Sequence, residues 1–507
     1  MIFLVACGSS GGSQSSGSGG FGGATGGGSG GAPVGTGGVE SAGGTTGVAG
    51  AGGQPAAGGA SGQAGAGGNG GAAGQVGAGG NGGAAGQVGA GGNGGAAGES
   101  GAEFGGGGGG GNGGAAGGNA GGGATGATAK LDLLFMIDDS YSMAPLQMKF
   151  ADAFPSVLQS FLTDPTTGRP ADLHVAVVSS SLGGGAWGNV NQCASGSHPG
   201  DDGGIFQQGM GGARNGLCTG LNSGETYLVT GDGDTVSPNF SGDIGSVFSC
   251  MALLGDQGCG FESQFESVQY ALTRAQLPKG LAPAGDPDNG GFLRADARLA
   301  IVMLTNEDDC SVPPQSLLLY PGVNSKLDPS GLGALQSYRC NEFGHLCDDP
   351  AGGFVKVPPP HDIDMASLGI TLNACESAED NGKTESISYP AGGTDPTMGH
   401  LVTVASFVAF LKGLKPDPRD VFVAAIAGPP TPYLVVPYQN PAANNETDPM
   451  VQHSCLVTVG ATTIYGDPSV RINQWVGNFG ANGFFQSICA ADFSPTLTSL
   501  AAAIHGP

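Results

Sequence analysis

Short apolar runs alternate with amphipathic segments through the C-terminal part of the chain. Residues 299–304 and 421–427 are runs of consecutive apolar residues, and residues 131–137 are apolar apart from Asp132. This is the pattern of a central parallel strand whose two faces are both covered. Residues 148–161 and 401–414 instead repeat apolar side chains at three- and four-residue steps, which predicts amphipathic helices. The alternation predicts an α/β fold: a doubly wound, mostly parallel sheet with helices on both faces.

Other segments continue this alternation and leave two long insertions. Further strands are predicted at 173–180 and 484–489, and further helices at 265–272, 469–479 and 497–504. Residues 183–239 and 320–390 are long, rich in Gly, Pro and Asp, and contain cysteines. Because structureless loops of that length are uncommon in a compact domain, we interpret both as loop insertions that disulfide bonds hold in place.

The N-terminal part of the chain lacks any such pattern. Most of the 104 glycines lie before Lys130, mixed with Ala, Ser, Asn, Thr and Gln. This composition cannot bury enough apolar surface to offset the entropy lost on ordering, so residues 8–129 are predicted to be a disordered, glycine-rich, low-complexity linker. The predicted organisation is a short N-terminal segment at 1–7, this tether at 8–129, and one globular domain with insertions at 130–507.

Charge narrows the choice of partners. The formal net charge of −25 comes from 41 acidic and 16 basic residues, and nearly all of it lies in the predicted globular domain. Binding to nucleic acid needs clustered Lys and Arg, whereas the basic residues of this chain are scattered. No nucleic-acid partner is therefore expected. An acidic surface suits a soluble envelope protein or one that binds divalent cations.

The 11 cysteines form two groups, a single cysteine near the N-terminus and ten in the globular domain. Cys7 stands before the tether, and the other ten lie in the globular domain at irregular spacings. An even set without paired CxxC motifs predicts up to five disulfide bonds in an exported protein, and it makes a zinc site the less favoured interpretation. As pairs that are near in sequence we predict Cys193–Cys218, Cys250–Cys259 and Cys340–Cys347.

The first seven residues resemble the end of a bacterial lipoprotein signal peptide. Leu4-Val5-Ala6-Cys7 resembles the lipobox, at which such proteins are cleaved and acylated on the cysteine. A complete signal peptide needs a basic segment and a longer apolar stretch, so we expect the true start codon to lie upstream; the alternative is a chance apolar segment. Acyl chains on Cys7 would anchor the protein permanently in a membrane. The expected location is the cell envelope, at the outer membrane or the cell surface.

Candidate chemistry lies directly after the first predicted strand. Asp138, Ser140 and Ser142 occupy alternate positions there, so their oxygens point the same way from an extended turn and can bind Mg²⁺ or Ca²⁺. Water or a partner's carboxylate would complete the coordination shell. The alternative is that Asp138 and Ser140 only cap the helix that follows.

These residues carry a family resemblance. Residues 138–143 (Asp-x-Ser-x-Ser-Met) resemble the metal-ion-dependent adhesion site of von Willebrand factor A (VWA) domains. Residues 258–262 (Gly-Cys-Gly-Phe-Glu) and the acidic strand end at 305–310 further resemble exported bacterial VWA lipoproteins of the myxobacterial type. The resemblance covers most of residues 130–507 and implies a VWA-like, Rossmann-like sheet.

The resemblance also implies a set of metal ligands. The family usually supplies a threonine before the second helix, where this chain has Cys259 and Gly260, and an aspartate at the end of the fourth strand, where it has Asn306. Because an amide replaces a carboxylate, weaker metal binding is expected unless Glu262 or Asp308 compensates. The implied ligands are Asp138, Ser140, Ser142, Asn306 and Asp308.

The resemblance implies a function in binding. The implied function is that of a surface-anchored, adhesion-type module. Such a module binds a protein or extracellular matrix ligand through a divalent metal ion, to which the ligand offers a carboxylate. The alternative is a structural envelope lipoprotein with a vestigial metal site. No Ser/His/Asp order or pair of carboxylates at catalytic spacing stands out, so no enzymatic activity is expected. A hydrolase that uses the insertion loops is the third interpretation.

Overall fold

The structure is a computed structural model, and it describes most of the predicted globular domain. The predicted tether up to residue 128 and the predicted lipid-attachment residue Cys7 lie outside the described residues. The described residues are 129–163, 168, 170–183, 193, 204–209, 218–231, 236–282, 288–313, 316, 318–319, 332–348, 355–356, 358–361, 368–378, 401–440, 446–459 and 462–506.

This part of the chain forms fourteen strands and seven α-helices. The strands are β1 (Lys130–Ile137), β2 (Asp172–Ser179), β3 (Leu228–Val229), β4 (Arg298–Leu304), β5 (His345–Asp348), β6 (Val355–Lys356), β7 (Ile370–Leu372), β8 (Cys375–Ser377), β9 (Val421–Ala427), β10 (Tyr433–Asn440), β11 (Glu446–Val451), β12 (Cys455–Val459), β13 (Thr462–Gly466) and β14 (Gly483–Ser487). The helices are α1 (Ala144–Leu162), α2 (Ile244–Ala252), α3 (Gln264–Ala275), α4 (Tyr338–Gly344), α5 (Val404–Lys412), α6 (Val470–Gly477) and α7 (Ser494–His505).

The core of the fold is a six-stranded sheet in the order β14-β9-β4-β1-β2-β3. Its first five strands are parallel, and only the short β3 runs antiparallel to its neighbour. The central strand β1 is buried along nearly its whole length, as expected for a mostly apolar strand inside a parallel sheet. The predicted α/β class with a mostly parallel sheet is therefore confirmed.

Helices cover both faces of this sheet because alternate side chains of each strand point to opposite sides. On one face, Phe135 packs against Phe154 of α1 and Phe248 of α2, with ring centroids 4.8 and 4.7 Å apart, and α7 joins the same cluster. On the other face, Met136 belongs to a cluster that includes Trp475 and apolar side chains of α3, α5 and α6. Both faces of the central strands are therefore shielded from water.

Charges at the amino end of the sheet are paired. The buried carboxylate of Asp132 accepts hydrogen bonds from Arg294 Nε at 2.8 Å and from Lys415 Nζ at 3.0 Å. Burial lowers the pKa of Lys415, and the nearby Asp132 opposes that shift. This cluster ties the start of β1 to the segments that precede β4 and β9.

All ten cysteines of the domain form disulfide bonds, but the three predicted pairs are wrong. The partners lie 28 to 66 residues apart in sequence. Cys193, Cys218 and Cys340 of the predicted insertions each pair with a cysteine outside them, so cysteines that are distant in sequence are neighbours in space. The pairs are Cys193–Cys259, Cys218–Cys250, Cys310–Cys340, Cys347–Cys375 and Cys455–Cys489.

The chain between the sheet and its helices carries more regular structure than the sequence patterns predict. The insertion predicted at 320–390 contains α4 and the strands β5 to β8. Residues 433–466, for which no element is predicted, form the antiparallel pairs β10–β11 and β12–β13 between β9 and α6. This region follows the carboxyl end of β9 and so lies at the edge of the sheet that holds the candidate site. In the described residues, no helix is long and apolar enough to cross a membrane.

Candidate metal-binding site

The predicted site residues follow the carboxyl ends of neighbouring strands. β2, β1 and β4 are adjacent in the sheet and parallel, so the segments after them meet at one edge. Residues 138–143 follow β1, residues 180–183 follow β2, and residues 305–309 follow β4. Residues 258–263, which lead into α3, join this edge through the hydrogen bond from Ser263 N–H to the Ser180 carbonyl at 2.8 Å.

Asp138 is fully buried at this edge, and its carboxylate is held from three directions. Oδ1 accepts hydrogen bonds from the Ser140 backbone N–H at 2.8 Å and from the Ser180 hydroxyl at 3.1 Å. Oδ2 accepts a hydrogen bond from the Thr305 hydroxyl at 2.7 Å. Burial raises the pKa of Asp138, and the hydrogen bonds from Ser140, Thr305 and Ser180 oppose this shift. The carboxylate is therefore fixed in place by the three strand ends.

Ser140, Ser142 and Asn306 lie near Asp138. The Ser140 hydroxyl is buried, and its interaction with the Asp138 carboxylate helps to lower the pKa of that group. Ser142 is half-buried and donates its hydroxyl to Asn306 Oδ1 at 3.2 Å, whereas the buried Asn306 Nδ2 has no partner among the described atoms. Because the two ends of an amide are interchangeable in assignment, turning this amide would leave its oxygen as the free acceptor. The Asn306 amide can then serve as a neutral metal ligand.

Asp308 faces a different set of partners. Its carboxylate accepts hydrogen bonds from the backbone N–H groups of Arg471 at 2.8 Å and Ile472 at 3.1 Å, at the start of α6. The imidazole Nε2 of His345 lies 2.8 Å from the same carboxylate. These contacts make Asp308 an N-terminal cap of α6. The structure thus brings Asp138, Ser140, Ser142 and Asn306 together and leaves Asp308 beside them with its oxygens already engaged.

Two residues absent from the predicted ligand set contribute to the same edge. Glu262 is 2% exposed, and its Oε1 has no hydrogen-bond partner among the described atoms. Gln264, also buried, donates Nε2 to the Thr305 hydroxyl at 3.1 Å, while its Oε1 likewise lacks a partner there. The sequence contains a signal for Glu262, which closes the Gly-Cys-Gly-Phe-Glu segment. It contains none for Gln264, whose pattern is that of an ordinary first residue of α3.

Two of the carboxyl groups at this edge, those of Glu262 and Glu307, lack in the described part of the chain the pairing with Lys and Arg that Asp132 has. Burial, followed by the charges of Glu307 and Asp138, raises the pKa of Glu262 well above its usual range. Burial, followed by Asp467 and Asp138, does the same to Glu307. In the described part of the chain, neither glutamate forms a salt bridge with Lys or Arg. Repulsion among buried carboxylates favours either a shared proton or a bound cation.

The donor set fits a hard divalent cation. The free atoms around Asp138 are carboxylate, hydroxyl and amide oxygens, which are the ligands of Mg²⁺ and Ca²⁺ in proteins. Among the residues that the structure describes, no three His, Cys, Asp or Glu side chains converge on one metal position. A cation at this edge would therefore be held by few carboxylates together with neutral oxygens from serine and amide side chains.

A close backbone contact fixes the segment before α3 against the segment after β1. Gly258 donates its backbone N–H to the Asp139 carbonyl at 2.7 Å, and a Cβ at Gly258 would lie 2.3 Å from Asp139 Oδ1. We expect Gly258→Ala to lower the free energy of unfolding by about 1–3 kcal/mol, because the added Cβ would clash with the buried Asp139. Urea denaturation measures this change. Gly477→Ala is the control, since a Cβ there meets nothing within 4 Å; equal stability of the two variants would contradict the assignment.

The chain was compared with protein-family models and with curated proteins. No protein-family model matches the chain, and no curated protein matches it.

Proposed function

We propose that this protein is a divalent-metal-dependent binding module with a VWA-like, doubly wound domain. The observation that carries the proposal is a pair of buried side-chain oxygens near Asp138 that have no hydrogen-bond partner among the described atoms, namely Glu262 Oε1 and Gln264 Oε1. A buried polar atom without a partner is destabilising. A Mg²⁺ or Ca²⁺ ion bound at this edge would give such oxygens a partner.

The position of the proposed ion supports binding to an external partner. It would lie at the carboxyl edge of the sheet, where open α/β folds bind ligands. Tyr141, between the two serines, is 68% exposed and offers an aromatic contact next to the ion, a residue type enriched in binding interfaces. The partner in this proposal is a protein or extracellular matrix ligand that presents a carboxylate to the metal. The proposal contains no catalytic step.

The N-terminal sequence supports display of the module on a cell. The lipobox-like segment ending at Cys7 would provide a lipid anchor, and the glycine-rich residues 8–129 would provide a tether. A flexible coil of that length has a root-mean-square span of roughly 60 Å, which is enough to hold a domain clear of a membrane surface. We therefore propose a location in the cell envelope, with the binding edge free to meet partners.

Thermal unfolding in the presence and absence of metal tests the proposal. A ligand that binds only the folded state at one hundred times its Kd stabilises that state by about 2.7 kcal/mol, so Mg²⁺ or Ca²⁺ should raise Tm relative to EDTA. Asp138→Asn should abolish most of that rise. Asp152→Asn, which changes an exposed carboxylate on α1, is the control and should keep it. A wild-type Tm that neither ion moves would overturn the proposal.

One observation favours the alternative of a structural envelope protein with a vestigial site. The three hydrogen bonds that Asp138 accepts already stabilise its buried carboxylate without a metal. On this alternative, millimolar Mg²⁺ and Ca²⁺ leave Tm unchanged, and Asp138→Asn lowers stability equally with and without metal. The same melting experiment therefore separates the two functions.

A further inference from the structure

We propose that Glu262 and Gln264 are ligands of the cation at Asp138, and that they make the site selective for Ca²⁺ over Mg²⁺. This inference rests on the proposed function, because it concerns the same ion. It goes further by replacing Asp308 in the implied ligand set with two residues on the segment that leads into α3. The argument depends on where the backbone holds these residues, on which of their atoms lack partners, and on charge.

The backbone holds Glu262 between the ends of β2 and β4. Its carbonyl accepts a hydrogen bond from the Cys310 N–H at 2.8 Å, just beyond the segment after β4. The next residue, Ser263, donates its N–H to the Ser180 carbonyl at 2.8 Å, and the Ser180 hydroxyl in turn bonds Asp138. Glu262 is thus fixed at both sides to segments that border Asp138.

The side chain of Gln264 reaches the same place by a separate route. Its Nε2 donates to the Thr305 hydroxyl, and that hydroxyl donates to Asp138 Oδ2. With Nε2 held by Thr305, the amide oxygen Oε1 is left buried and without a partner among the described atoms. An amide oxygen in this state is a neutral acceptor that a cation would satisfy. The amide oxygen of Gln264 is therefore evidence for a cation that does not depend on the charge of the carboxylates.

The third argument is the negative charge of Glu262. Glu262 is almost completely buried, lacks a salt bridge with Lys or Arg in the described part of the chain, and lies near the carboxyl groups of Glu307, Asp138 and Asp139. An isolated buried carboxylate is strongly disfavoured unless it is neutralised. A divalent cation between Asp138 and Glu262 would balance both negative charges. This arrangement uses two carboxylates only, with neutral oxygens for the rest.

The ligand types favour Ca²⁺. Ca²⁺ accepts six to eight oxygens in flexible geometry, whereas Mg²⁺ demands a near-ideal octahedron and tends to retain several water molecules. Two carboxylates, two serine hydroxyls and one or two amide oxygens make a large and mostly protein-supplied set. Such a set, mounted on three different segments, suits the larger ion.

Calorimetric titration of the full chain with Ca²⁺ and with Mg²⁺ tests the inference. We expect the wild type to bind Ca²⁺ at least tenfold more tightly than Mg²⁺. Glu262→Gln should weaken Ca²⁺ binding at least tenfold and reduce the ratio of the two affinities, and Gln264→Leu should weaken Ca²⁺ binding several-fold. The matched control is Glu266→Gln, because Glu266 is also buried at the start of α3 but bonds the Tyr270 hydroxyl, 3.2 Å away. It should bind both ions as the wild type does.

A melting curve in EDTA shows whether each variant is folded. Glu262→Gln replaces a buried carboxyl group, whose charged form burial disfavours, with a neutral amide, so its Tm in EDTA should equal or exceed that of the wild type, while in Ca²⁺ it should be lower. If Asp138→Asn loses Ca²⁺ binding but Glu262→Gln keeps the wild-type affinities and ratio, this inference is overturned and the proposed function stands. If the wild type binds neither ion, both are overturned.

Discussion

Replacing Arg471 with Met is expected to lower the free energy of unfolding by about 3–5 kcal/mol, the usual effect of removing one partner from a buried ion pair. The guanidinium donates to Asp309 Oδ2 from Nη2 at 3.0 Å and from Nε at 3.3 Å, and both side chains are buried. It also donates to the Ser377 hydroxyl at 3.0 Å and to the Val402 carbonyl. Met fills a similar volume, so the loss reports the charge left on Asp309 and the unmade hydrogen bonds.

Urea denaturation of Arg471→Met and Arg419→Met measures this difference. Arg419 pairs with Asp417 at 2.6 Å but is 88% exposed, so its replacement should lower stability far less than that of Arg471. The loss in Arg471→Met should shrink as the pH falls. Burial raises the pKa of Asp309 even beside Arg471, so without that arginine the carboxyl group takes up a proton more readily. Equal losses in the two variants would show that the Arg471 pair is not buried in solution.

The sequence predicted the central sheet because its strands carry their own signal. β1, β4 and β9 are mostly apolar along their length, as is typical of strands with both faces covered. The antiparallel pair β10–β11 carries no such signal. β10 and β11 each contain a proline, Pro437 and Pro449, which face each other in the register, and a proline within a run argues against a strand. Their pairing depends on a neighbouring strand that no local pattern reveals.

Of the candidate site, the sequence predicts the location of those residues that directly follow a recognisable strand. Asp138, Ser140 and Ser142 follow β1 directly, so a correct strand places them at the carboxyl edge. Asp308 was implied as a ligand by the family resemblance, and no local pattern reveals its contact with the Arg471 backbone, 163 residues away. The predicted disulfide pairs are wrong because proximity in sequence does not show which cysteines the fold brings together. Only the tertiary structure assigns such partners.

Replacing Cys310 and Cys340 with Ser is the second change with a large expected effect. This disulfide joins cysteines 30 residues apart, and closing a loop of that size contributes about 3–4 kcal/mol to stability by restricting the unfolded chain. The Cys218–Cys250 pair is a matched control, because its cysteines are 32 residues apart. Urea denaturation should therefore give similar losses for the two double variants.

Metal binding should separate these two double variants. Cys310 donates its backbone N–H to the Glu262 carbonyl and follows the segment after β4 that carries Thr305 and Asn306. Cys250 lies in α2, on the face of the sheet that α1 covers. Without the Cys310–Cys340 bond, Glu262 loses rigid support, so Ca²⁺ affinity should fall at least tenfold in titrations at a temperature where both variants are folded. The Cys218–Cys250 variant should bind as the wild type does. Equal Ca²⁺ affinities in the two double variants would mean that the Cys310–Cys340 bond stabilises the fold without shaping the site, because the hydrogen bonds of Asp138 alone then suffice to hold the cation ligands in place.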